Sequence, residues 1–112
     1  MKKASFLEEI VFNDSRPAIK LIVESKFSKE IRIAFNANQV MKEHQTAYPI
    51  VVQIIKGEIA FGVKGEILTL KEGDMIALEG NVPHDLKANK ESIVRLTLSK
   101  LDKVARVESV TH

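Results

Sequence analysis

Three histidines, His44, His84 and His112, and a single tyrosine, Tyr48, are the residues of this chain best suited to chemistry. An imidazole with its ordinary pKa of about 6.5 exchanges protons at neutral pH, and its neutral nitrogen is a common ligand for transition metals. A tyrosine close to such a histidine can act as an acid beside a base; Tyr48 reads more simply as a rim aromatic covering the core. No role is read for His112 beyond its terminal place. Cysteine is absent, which excludes disulfides, thiolate nucleophiles and zinc sites built on sulfur. The carboxylates Glu43 and Asp85 each adjoin a histidine, and in a strand such neighbours point to opposite faces. Glu79 falls at a turn from which it could swing toward a pocket mouth. Arg95 shares an alternating face with Ile93, Thr97 and Ser99, a pattern of a solvated outer face, although an arginine there could reach a ligand carboxylate. Lys42 and Gln53 read as surface or mouth residues, and Met41 and Met75 as core fillers.

The elements that must carry these residues are strands. Ile31, Ile33 and Phe35 alternate with Arg32 and Ala34, and Ile59, Phe61 and Val63 alternate with Ala60 and Gly62, so the apolar period is two. Ile50 to Ile55 is apolar except for Gln53, as in a strand covered on both sides. Further strands are expected over Glu66–Leu70, Met75–Leu78 and Ile93–Leu98. Three glycine turns separate the central strands: Lys56-Gly57-Glu58, Lys64-Gly65-Glu66 and Glu72-Gly73-Asp74. Such rhythm predicts a sandwich or barrel rather than an α/β domain. Residues 1–12 read as a short helix or as an edge strand or arm, and 101–112 as a peripheral tail in which Val104, Val107 and Val110 recur every three residues.

With 112 residues the chain is read as one domain with one core. Seventeen basic and fifteen acidic residues are scattered and give a formal charge of +2, so no patch selects nucleic acid or an anionic membrane. The apolar run at the start is broken by Glu8 and Glu9, which fits neither a signal peptide nor a membrane span. The expectation is a soluble, cytoplasmic protein.

The order of turns and histidines over 38–88 resembles the cupin superfamily. Its first motif, G-x5-H-x-H-x3-4-E-x6-G, falls without a gap on Asn38, His44, Thr46, Ile50 and Gly57. The second, G-x5-P-x-G-x2-H-x3-N, falls on Gly73, Glu79, Asn81, His84 and Ala88. Asn38 and Asn81 replace glycines, and asparagine tolerates a left-handed backbone well. Pro83 directly precedes His84, as in many small cupins.

This resemblance implies an all-β jelly-roll barrel of two antiparallel sheets, with His44, Thr46, Tyr48, Ile50 and His84 at its ligand pocket. It also implies a homodimer that protects sheet edges. In metal-binding members three histidines and a carboxylate hold Fe, Mn, Ni, Cu or Zn. Here Thr46 and Ile50 stand at two of those four positions, which leaves His44 and His84 as the metal ligands and makes any divalent metal weakly held. The first functional reading is therefore a cupin that binds a small polar molecule in its lumen. The second is a metal-dependent enzyme, of dioxygenase or isomerase type, whose substrate completes the ligand set. The third is a non-catalytic oligomerisation module with a filled barrel.

Overall fold

The computed structural model describes residues 1–100, so the tail read over 101–112, with His112, lies outside the described residues. Nine strands follow one another: β1 (Ala18–Glu24), β2 (Ser28–Phe35), β3 (Val40–His44), β4 (Ile50–Lys56), β5 (Glu58–Val63), β6 (Glu66–Lys71), β7 (Met75–Leu78), β8 (His84–Ala88) and β9 (Ser92–Ser99). They form a five-stranded sheet, order β1-β2-β9-β4-β7, and a four-stranded sheet, order β3-β8-β5-β6, with every pairing antiparallel. This is the all-β jelly roll expected from the alternation.

The alternating apolar residues meet between the sheets. Ile33, Phe35, Ile50, Val52 and Ile54 from the five-stranded sheet pack with Ile59, Phe61, Leu86 and Ala88 from the other. Burial of this kind, at roughly 25 cal/mol per Å² of apolar surface, is the main force holding the layers together. β4 is sealed on this inner face and half-covered on the outer one, where Val51, Gln53 and Ile55 sit. Two turns show why the sequence folds as it does. Lys64 and Gly65 both take positive φ, 51° and 76°, the requirement of a two-residue type I′ hairpin between β5 and β6. At Gly57, with φ 93°, a Cβ would lie 2.2 Å from the Ser92 hydroxyl, so only glycine fits.

Residues 1–17 are neither helix nor strand. They lie as an arm over the outer face of the five-stranded sheet, pinned by Arg32, whose guanidinium donates to the carbonyls of Phe6 (3.3 Å), Glu8 (2.9 Å) and Glu9 (3.3 Å). A helix or edge strand over residues 1–12 is thus not formed: the arm's carbonyls bond a side chain instead of backbone. The Phe6 ring covers the Arg95 guanidinium at 5.7 Å. Met75, expected in the core, is 60% exposed. Its register opposite Gln53 puts it on the outer face of the edge strand β7. Among the described residues no helix is long and apolar enough to cross a membrane.

Candidate functional site

His44 ends β3 and His84 begins β8, and the two are direct cross-strand partners. Their ring centres are 4.4 Å apart with planes tilted by 59°. The approach to this pair is irregular: Met41 opposes Leu86 and His44 opposes His84, so three steps along β3 match two along β8. That extra residue is a β-bulge, and it leaves Lys42 and Glu43 both exposed while Met41 and His44 both turn inward. β8 alternates regularly, with His84, Leu86 and Ala88 buried and Asp85 and Lys87 outside. The backbone that delivers the histidines depends on the two asparagines: Asn38 has φ 72° and Asn81 φ 63°, the left-handed conformation their motif positions demand. Asn81 N–H donates to the Thr46 carbonyl at 2.6 Å and ties the two histidine-bearing loops together.

Each ring is held in the same way. His44 Nδ1 lies 2.7 Å from the Lys42 carbonyl and His84 Nδ1 2.9 Å from the Val82 carbonyl. A carbonyl only accepts, so each Nδ1 carries a proton, and the neutral form of each ring has its lone pair at Nε2. His84 is 4% exposed, and its ring stacks on Phe61 with centres 5.6 Å apart and planes within 10°. No buried side-chain nitrogen or oxygen among the described residues lacks a partner, so His84 Nε2, which makes no hydrogen bond to protein, is not fully enclosed. The site is therefore two adjacent imidazole acceptors on an otherwise apolar inner face. Phe61 was visible in the sequence only as a core residue. The signal that would have found it is the register of β5 against β8, where Val63 opposes His84.

The remaining sequence candidates are placed elsewhere. Thr46 is half-buried in the loop after β3, and its hydroxyl donates to the Tyr48 carbonyl at 2.9 Å. Tyr48 lines a cleft of about 400 Å³ with Glu24, Lys29 and Leu98. Ile50 is buried in the core, opposite Leu78 and Leu98. Glu43 and Asp85 open onto an outer cleft of about 420 Å³ beside Gly62 and Glu66, and Glu79 lines a third with Val51 and Ala77. Among the described residues no group of three or more His, Cys, Asp or Glu side chains could hold a metal ion. The donor set is thus two imidazole nitrogens, with an engaged hydroxyl at position 46 and an aliphatic side chain at 50; it does not fit a metal ion held by the protein alone.

Comparison with known proteins agrees with this architecture. The profile of the cupin domain matches residues 32–100. An RmlC-like cupin protein from Desulfovibrio desulfuricans superposes with a TM-score of 0.81 at 24% identity, covering 88% of this chain and 96% of that one. The TT1209 protein from Thermus thermophilus does so with 0.81 at 17% identity, over 88% and 97%. KdgF from Halomonas sp. gives 0.71 at 17%, over 86% and 92%. At these identities the likeness speaks for the fold alone. A comparison with curated proteins gives no match. Since the domain profile spans well over half of its 112 residues, the chain belongs to the cupin family.

Proposed function

We propose that this protein is a small-molecule-binding cupin whose lumenal site is the His44–His84 pair, and that its ligand is a small polar molecule offering hydrogen-bond donors to the two Nε2 atoms. The observation that supports this most is the matched pinning of both Nδ1 atoms on backbone carbonyls, which fixes the tautomers and leaves Nε2 as the acceptor on each of two adjacent rings. Phe61 and Leu86 supply the apolar backing that such a pocket uses to hold the non-polar part of a ligand. In this reading a divalent metal enters only with a ligand that supplies the missing oxygen donors. The protein works as a homodimer in a reducing cytoplasm, a compartment that suits a chain without cysteine.

Elemental analysis of untagged protein beside His44→Ala and His84→Ala tests this reading. It predicts metal well below one equivalent in the parent. Near-stoichiometric metal that disappears with either substitution would replace it with the metal-dependent enzyme.

A further inference from the structure

We propose that the cleft between the N-terminal arm and β1 is a second binding site, separate from the lumen, for a small carboxylate with an apolar body. The cleft has a volume of about 310 Å³, and its lining combines the apolar Val11, Phe12 and Ala18 with the cationic Lys20 and Arg32. Lys20 and Arg32 are direct cross-strand partners on the outer face of the sheet, so their charges are adjacent. The carboxylate in the lining, Glu9, balances one of these two charges and leaves a net positive site.

Arg32 is the residue that carries the proposal. It is 3% exposed, yet among the described residues no carboxylate pairs with it. A buried guanidinium compensated only by carbonyls keeps a strong attraction for an anion. Its three hydrogen bonds to the arm use Nη1 twice and Nη2 once. That leaves Nε–H and one N–H of Nη2, and the Nε–Nη2 edge is one that receives a carboxylate side-on through two parallel bonds. Nε, which the arm does not engage, is not fully enclosed, since no enclosed side-chain nitrogen among the described residues is without a partner, and Arg32 lines the cleft. Arg95, the next cation in the cross-sheet row, is already paired with Glu30 at 2.9 Å and is not available in the same way. The apolar lining then selects among anions: a carboxylate carrying an alkyl or aryl group buries it against Val11, Phe12 and Ala18, and a fully hydrated phosphate gains nothing there.

The test is a titration of the full chain with hexanoate, acetate and inorganic phosphate, followed by NMR through the Arg32 Nε–H and the Val11 methyl resonances. Hexanoate is expected to saturate and to bind at least about tenfold more tightly than acetate, with phosphate weaker than hexanoate. Lys20→Gln should weaken hexanoate about two- to fivefold, and Arg32→Lys about tenfold or more, because a point charge cannot replace the two-pronged contact. Arg32→Lys also loosens the arm, so Val11→Ser serves as the independent variant: it should weaken hexanoate and leave acetate unchanged. The proposal is overturned if hexanoate does not saturate or if phosphate binds as tightly. It also fails if neither Lys20→Gln nor Val11→Ser changes the affinity, or if His44→Ala abolishes binding.

Discussion

Glu30 shows how a single carboxylate is held on the outer face. Burial raises its pKa, but hydrogen bonds from Arg95 (2.9 Å), Thr97 (2.5 Å) and Ser28 (3.1 Å) outweigh that and hold the carboxyl below its ordinary value of 4.5. A depressed folded-state pKa means that the contact stabilises the protein fully above pH 4.5 and is lost as pH falls through the lower folded value. Glu30→Gln should therefore cost about 1–3 kcal/mol at neutral pH and flatten the stability profile in that acid window, as read by urea denaturation at stepped pH. An unchanged acid slope would contradict this role for Glu30. At this scale the sequence was most legible where backbone and residue type agree. Asparagine at 38 and 81 was readable as a left-handed turn residue because few other side chains tolerate that conformation, and both turns form. Arg95 was readable as an outer-face residue, but its partners were not, since Glu30 lies 65 positions away and Phe6 belongs to an irregular arm.

The pairing of β3 with β8 decides whether the two imidazoles meet. Because three steps on β3 match two on β8, the bulge holds one residue more than the ladder needs. Deleting Glu43 should turn β3 into a regular strand and keep the shifted histidine opposite His84 and facing inward. Deleting Asp85 has no such slack to use: it shifts the parity of β8 and drives either His84 or Leu86 to the outside. Thermal unfolding together with ring-to-ring NOEs between the two histidines checks this. The first deletion is expected to retain both fold and contact, the second to lose them, and equal damage from both would contradict the register. Strand positions were legible from the period-two pattern, since only alternate residues reach the core. The bulge was not, because nothing in Lys42-Glu43 distinguishes two outward residues from one outward and one inward. The arm was one of the readings left open, because apolar residues over 6–11 fit helix and strand equally; what holds it, a single buried arginine on β2, was not legible.

At the scale of the molecule, two sheets enclose one core and leave four strand edges, at β1, β7, β3 and β6. Open edges invite pairing, and the proposed homodimer is a direct way to cover some of them. Light scattering of the purified protein should give twice the 12.5 kDa chain mass, and a monomer at micromolar concentration would contradict it. The closed two-layer architecture was legible from turn spacing, and the meeting of residues 44 and 84 from the motif register. What the histidine pair lacks, a carboxylate or third imidazole beside it, follows from Ile50 in the core and from Glu43, Glu79 and Asp85 facing other clefts. Two inward imidazoles with unprotonated Nε2 atoms are what the proposed binding site requires. Nitrogen-15 NMR of the histidine side chains at alkaline pH tests this most directly. Both rings are predicted to carry their proton on Nδ1, with a bare Nε2 and a mutual ring contact; a proton on Nε2 of either ring, or no contact between them, would contradict the site.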